Sequence, residues 1–262
     1  MLISADPTSD PLSTKRVAAL YDIHGNLPAL EAVLDELRRE SLDAIIVGGD
    51  IFPGPMAAET FALLQTLEPH PQFIFGNCEV ALLAAREGRD PGRMPDAAKE
   101  SIRWCASQIN ADDEQLLRTW PRTLAKTIEG IGEVLFCHGT PRDENEIFTR
   151  LTAESAALPA LSDVQANLVV CGHTHMQFDR AIGHIRVVNA GSVGMPFGRP
   201  GAYWLLLCGD VELRCTDYDL LRAADRVRRT SYPQAEEFAA KYILAPPSEE
   251  EMVALFTQHG MK

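Results

Sequence analysis

The chain has 262 residues, enough to bury a core without disulfide or metal staples, and its 46% hydrophobic and 23% charged content is that of an ordinary globule. A formal net charge of −13 argues against non-specific binding to DNA or RNA, because an acidic surface repels a phosphate backbone. No apolar stretch approaches the roughly 20 residues that span a membrane, and the N-terminus carries acidic residues and prolines in place of a secretory core.

Residues 1–14 read as a short disordered lead-in. Residues 16–21 (RVAALY) form a short apolar run, the mark of a buried strand. Residues 27–40 follow with apolar positions at helical spacing and Pro28 at the start. Residues 43–47 (DAIIV) predict a second buried strand, ended by Gly48 and Gly49. Residues 56–67 read as a helix and 72–75 as a third strand. Such alternation implies a parallel sheet with helices packed on it.

The pattern changes from 80 to 120. Pro91, Gly92 and Pro95 interrupt three helical segments (80–87, 96–109 and 112–119), expected to form a helical insertion or cap beside the core. Strands return with 124–128 and 133–137, which flank Gly130 as a hairpin would. Further strands are expected at 168–171, 177–182, 185–189, 202–208 and 211–216. Residues 218–262 alternate helical patterns with prolines and are expected to pack on their own domain or to form a homo-oligomer interface. The simplest architecture is a single α/β domain over 1–262: two stacked mixed sheets with helices outside.

The six cysteines are scattered, and Cys137 and Cys171 sit in apolar runs just before histidines. That distribution predicts free thiols in a reducing compartment, and a cytoplasmic location.

Short polar segments follow these strands: Asp22-Ile23-His24, Gly49-Asp50, Gly76-Asn77-Cys78-Glu79, His138, and Gly172-His173-Thr174-His175. Alone, each of the first three reads most simply as a turn, whereas two histidines at i and i+2 behind a glycine suit chelation. Together they place seven candidate metal ligands (Asp22, His24, Asp50, Asn77, His138, His173 and His175) just past the carboxyl ends of strands, the edge where open α/β sheets build sites. Carboxylate, imidazole and amide donors suit Mn²⁺, Fe²⁺, Zn²⁺ or Co²⁺. Two adjacent ions point to hydrolysis of phosphate esters, because the pair can hold both the attacking and the leaving oxygen. His70, His184 and His259 lie outside these segments and read as surface residues.

The ordered set D-x-H, G-D, G-N-[HC]-[DE], H and G-H-x-H resembles the calcineurin-like metallophosphoesterase superfamily. The resemblance covers 16–192 or beyond. It implies a four-layer α/β/β/α sandwich, in agreement with the reading above. It also implies two divalent metal ions, with manganese first and Fe, Zn, Ni or Co as substitutes. Asp22, His24 and His175 would bind one ion; Asn77, His138 and His173 the other; Asp50 would bridge both. The nucleophile would be a metal-bridging hydroxide.

Cys78 stands where many members carry a histidine that contacts the phosphate. A thiol is a weaker donor with no positive charge, so leaving-group protonation is in question and diesters are expected over monoesters. The G-N-C-[DE] form resembles a prokaryotic branch of small phosphodiesterases, and 138–143, 189–194 and 199–206 share that resemblance. Asp50, Asn77, Cys78 and Glu79 are thus the catalytic candidates. Arg142 and Arg199 are candidates to grip a phosphate, since guanidinium meets phosphate oxygens in a fork. The expected activity is hydrolysis of a phosphorylated small molecule or nucleotide, through a phosphodiester or phosphoanhydride bond. The alternatives are a serine/threonine-type protein or small-molecule phosphomonoesterase and, with less support, a non-catalytic metal-binding scaffold.

Overall fold

The computed structural model describes residues 14–261; the lead-in expected at 1–14 lies outside the described residues apart from Thr14. Two five-stranded sheets make up the centre. The first contains β1 (Val17–Leu20), β2 (Ala44–Val47), β3 (Gln72–Phe73), β9 (Ala202–Leu207) and β10 (Val211–Thr216), in the order β10-β9-β1-β2-β3. The second contains β4 (Thr123–Ile128), β5 (Gly132–Cys137), β6 (Leu168–Cys171), β7 (Phe178–Ile182) and β8 (Ile185–Asn189), in the order β4-β5-β6-β8-β7. Each sheet has a parallel centre, β1-β2-β3 in one and β5-β6-β8 in the other. Antiparallel strands extend them: β9 and β10 in the first, β4 and β7 in the second.

Side-chain alternation along the strands explains the continuous apolar runs. Val17 and Ala19 of β1 face the second sheet, in a core shared with Val134, Phe136, Leu168 and Val170. Ala18 and Leu20 face the other way, into a helical core with Trp204 and Phe61. Both faces of each central strand are therefore covered, so alternation of polar and apolar residues is absent. The outer face of the second sheet, with Val169, Val187 and Ile185, packs on Phe148, Ala157 and Leu161. The result is the expected four-layer α/β/β/α sandwich.

The helical layer on the first sheet begins with α1 (Leu27–Leu37) and α2 (Ala57–Leu64). Asn26 caps α1, its side chain accepting from the Ala29 amide, and Pro28 fits the first turn, where no intrahelical donor is needed. Next come α3 (Asn77–Arg86), α4 (Asp96–Gln108) and α5 (Ala111–Leu117), the segment expected as an insertion. Leu82 of α3, Ile102 and Cys105 of α4 and Leu117 of α5 join the same core as α1 and α2. On the second sheet lies the short α6 (Glu154–Ala157).

The C-terminal region packs on its own chain. Helix α7 (Leu220–Arg228) buries Ala223, Ala224 and Val227, and α8 (Ala235–Phe238) continues into a π-helical turn over 239–244 that buries Ala239 and Ile243. Helix α9 (Glu249–His259) is capped by Ser248 and sets Val253 and Phe256 against Phe197. Among the described residues no helix is long and apolar enough to cross a membrane.

Candidate metal centre

The parallel strands end together, and the backbone stays paired beyond them. The Asp22 amide donates to the Gly49 carbonyl at 3.1 Å and the His24 amide to the Asp50 carbonyl at 3.0 Å. The Gly172 amide donates to the His138 carbonyl at 2.9 Å. Turns carrying Asp22, His24, Asp50, His138, His173 and His175 thereby converge from both sheets. Asn77 arrives on the first turn of α3.

Among the described residues five non-glycine positions have left-handed φ, at Asp22, His24, Asp50, His173 and His175, between 46° and 66°. All five are candidate ligands. Such backbone costs on the order of 1–3 kcal/mol per residue and persists only where surrounding structure imposes it. Glycines supply the space: a Cβ on Gly76 would stand 2.0 Å from Asp50 Oδ1, and one on Gly172 would stand 2.5 Å from Asp22 Oδ2.

The side-chain atoms meet closely. His24 Nε2 and His175 Nε2 are 3.2 Å apart, and Asp22 Oδ1 is 3.2 Å from His175 Nε2. Asp22 Oδ1 also lies 3.8 Å from both His24 Nε2 and His138 Nε2. Asp50 Oδ2 is 3.5 Å from His138 Nε2 and 3.8 Å from His24 Nε2. Asn77 Oδ1 is 3.1 Å from His138 Nε2, and the His173 ring centre is 5.1 Å from that of His138. Two groups can each hold an ion: Asp22, His24 and His175, and Asp22, Asp50 and His138.

The donor set fits divalent metal. Asp22 Oδ1 is buried without a hydrogen-bond partner, while Oδ2 accepts from the His173 amide. An orphaned buried carboxylate oxygen is costly unless a cation meets it. His138 Nδ1 donates to the Gly48 carbonyl at 2.9 Å, and His175 Nδ1 to the Met195 carbonyl at 2.7 Å. A carbonyl can only accept, so the proton sits on Nδ1 and Nε2 faces the carboxylates, as in metal-ligating histidines. Phe197 stacks on the His175 ring with centres 5.2 Å apart.

The charges are uneven. Burial pulls His24 and His173 down to about 4, so both stay neutral at pH 7. Burial would also lower His138, but Asp50 and Asp22 outweigh it and raise that imidazole to about 10. Burial opposes ionisation of Asp50, yet His138 and His24 hold it below the ordinary carboxylate range.

Around the cluster, backbone and neutral side chains fix positions. Ser192 Oγ donates to the Asp22 carbonyl and accepts from the Met195 amide, both at 2.7 Å. Asn189 donates to the Gly172 carbonyl and to Thr174, and accepts from Gly191. The run 189–194 was expected near the site as a turn; the anchoring by Ser192 and Asn189 was not. Glu79, a catalytic candidate by sequence, is fully buried, and its oxygens accept from the amides of Asp50, Ile51 and Gly76, each at 2.8 Å. It ties the Asp50 and Asn77 turns together.

Cys78 lies beside Asp50, whose Oδ1 accepts from the Cys78 amide at 2.9 Å. Burial, then Asp50, push its thiol well above the ordinary range, opposing the thiolate that nucleophilic attack requires. Arg142 and Arg199 make ion pairs of their own. Arg142 Nε donates to Glu146 at 2.8 Å, and Arg199 pairs with Asp217 at 2.6 Å on an exposed surface. Among the described residues neither is hydrogen-bonded or ion-paired to a residue of the cluster. His70, His184 and His259 are exposed, as expected.

A calcineurin-like phosphoesterase superfamily domain matches residues 16–211. The chain belongs to that superfamily. This calcineurin-like phosphoesterase is thus a metal-dependent phosphoric ester hydrolase, of a family that uses divalent ions. It is 25% identical to the uncharacterised protein MJ0912 of Methanocaldococcus jannaschii, over 83% of this chain and 94% of that one. Its fold is that of the hypothetical protein PH1004 of Pyrococcus horikoshii OT3, with a TM-score of 0.75 at 22% identity over 89% of this chain and 99% of that one. It is also that of a metallophosphoesterase from Sphaerobacter thermophilus, with a TM-score of 0.68 at 24% identity over 88% and 99%.

Proposed function

We propose that this chain, as one metallophosphoesterase domain, binds two divalent ions and hydrolyses phosphodiester or nucleotide phosphoanhydride bonds. The observation that carries this reading is the meeting of two donor groups at Asp22, whose Oδ1 is buried and otherwise unpartnered. Asp22, His24 and His175 would hold one ion, and Asn77, His138 and His173 would hold the other. Asp50 lies between them; its Oδ2 neighbours one histidine of each set, which supports that place. Mixed carboxylate, imidazole and amide donors accept Mn²⁺, which the family resemblance puts first, and equally Fe, Zn, Ni or Co. When bound, the ions draw charge from the phosphate oxygens and lower the pKa of the attacking water.

The protein's own residues supply the rest. The Gly48 and Met195 carbonyls orient His138 and His175. Glu79 and Ser192 hold the Asp50 and Asp22 turns in register. Phe197 covers one face of His175 and keeps water from it. Cys78 is the side chain beside Asp50 that a leaving oxygen would meet. A neutral thiol donates weakly, so leaving groups that depart without a proton are favoured and diesters are preferred to monoesters. Cys78 also supports membership of the small prokaryotic phosphodiesterase branch. Six free thiols, three of them fully buried, support a reducing environment and a cytoplasmic location.

The test is hydrolysis by Mn²⁺-loaded protein of an aryl diester, an aryl monoester and diadenosine tetraphosphate, with and without chelator. Chelator-sensitive turnover of the diester or the dinucleotide is expected. Asp50→Asn should abolish it while circular dichroism stays unchanged; near-normal activity in that variant would overturn the proposal.

A further inference from the structure

A cavity of about 380 Å³ adjoins the metal cluster and shares His24 and Cys78 with it. Its other walls come from separate parts of the chain: Pro53 after β2, Pro95 and Ala98 at the start of α4, Met195, and the C-terminal residues Tyr232, Phe238 and Tyr242. These last three lie beyond the 16–211 region that defines the superfamily. The volume suits a small ligand group, within the usual ~300–1,000 Å³ of binding pockets.

The lining says what that group is. It contains no lysine or arginine, and its one acidic residue, Glu237, is paired with Lys241 at 2.6 Å. A further phosphate entering here would find no lysine or arginine in the lining, and the nearby Lys241 already committed to Glu237. Two of the polar side chains are engaged with neighbours: Ser101 donates to Gln234, and Gln234 donates to Glu100 at 2.9 Å. Apart from His24 and Cys78, shared with the cluster's surroundings, the remaining side chains are aliphatic or aromatic. The ring of Phe238 stands 6.2 Å from Tyr232 and 5.5 Å from Tyr242, and Trp104 backs Tyr232 edge-on at 5.4 Å. Rings braced this way form a fixed wall of the kind on which a planar group packs.

We propose that this cavity holds an uncharged aromatic ester group, of aryl or nucleobase size, of a phosphodiester whose phosphate lies at the cluster. It thereby disfavours substrates that place a polyphosphate there. The inference rests on the phosphoesterase reading above and narrows it to one substrate class. In that class the C-terminal segment, and not the shared superfamily region alone, selects the substrate.

The test compares diphenyl phosphate with dimethyl phosphate as ligands. They are measured as competitive inhibitors of bis(4-nitrophenyl) phosphate hydrolysis by Mn²⁺-loaded protein, and by saturation-transfer NMR with and without chelator. Wild type should bind the diphenyl ester at least about tenfold more tightly, since one methylene in an apolar pocket is worth ~10-fold or more. Ala98→Trp, which fills the cavity, and Tyr242→Ala, which removes a wall, should each bring that ratio towards one. Bis(4-nitrophenyl) phosphate should exceed diadenosine tetraphosphate in kcat/KM. A wild-type ratio near one, a ratio unmoved in both variants, or preference for the dinucleotide would overturn the proposal. Loss of chelator-sensitive turnover with the binding ratio retained would instead sink the phosphoesterase reading and leave the pocket standing.

Discussion

Ser192→Ala removes one oxygen from a buried, uncharged position and probes how the cluster is held. In the wild type, Ser192 Oγ donates to the Asp22 carbonyl and accepts from the Met195 amide, both at 2.7 Å. The Asp22 carbonyl keeps a second donor, the Gly194 amide at 3.0 Å, so its loss is one net hydrogen bond, about 1 kcal/mol. The Met195 amide has no other partner among the described residues, and an unsatisfied buried donor costs about 1–3 kcal/mol. The sum is about 3 kcal/mol, which for a chain of this size lowers Tm by roughly 6–12 °C. The Met195 carbonyl also orients His175, and Asp22 sits at a left-handed φ of 52° that Ser192 helps to impose. Metal affinity should therefore fall as well, by about 10–100-fold, as for other groups that orient ligands. Calorimetric melting of chelator-treated protein measures the first effect and Mn²⁺ titration the second. A Tm within about 1 °C of wild type together with unchanged Mn²⁺ affinity would refute the reasoning.

Gly76→Ala puts a Cβ 2.0 Å from Asp50 Oδ1 and should lower kcat/KM by at least ~100-fold, the usual result of moving a reacting group by about 1 Å; unaltered kinetics would contradict the packing. His138, raised to about 10 by Asp50 and Asp22 against the effect of burial, is protonated at pH 7.5 without metal and must lose that proton to bind an ion. Mn²⁺ binding should therefore release protons and tighten as pH rises, which calorimetry in buffers of different ionisation enthalpy reads directly; zero release would contradict the charge assignment. Cys78→His should raise monoester turnover relative to diester turnover. An unchanged ratio would end the argument from the weak thiol donor.

The fold and the candidate ligands were legible for a shared reason. Asp22, Asp50, His138 and His173 each follow an apolar run that ends in polar residues, and such runs are short because both faces of the strand are buried. What needs several segments at once was not legible. Arg142 and Arg199 carry the right chemistry for phosphate, but Glu146 and Asp217 occupy them, and the Arg199 partner lies 18 residues away in sequence. Glu79 follows Asn77 and Cys78 as a catalytic residue would, yet its carboxylate is turned inward by the amides of the Asp50 turn. Ser192 sits in a run that sequence already placed near the site, but its two hydrogen bonds depend on the meeting of β1 with 192–195. The packing of 218–261 on the helical core depends on the small buried faces of Ala223, Ala224 and Ala239, a weak pattern in a polar stretch.

The most direct measurement is Mn²⁺ titration of chelator-stripped protein, with bound ions counted by mass spectrometry and hydrolysis of bis(4-nitrophenyl) phosphate followed in the same samples. Two ions per chain are expected, with turnover that rises as the second site fills. A single ion at saturation, or turnover that survives complete removal of metal, would contradict that expectation.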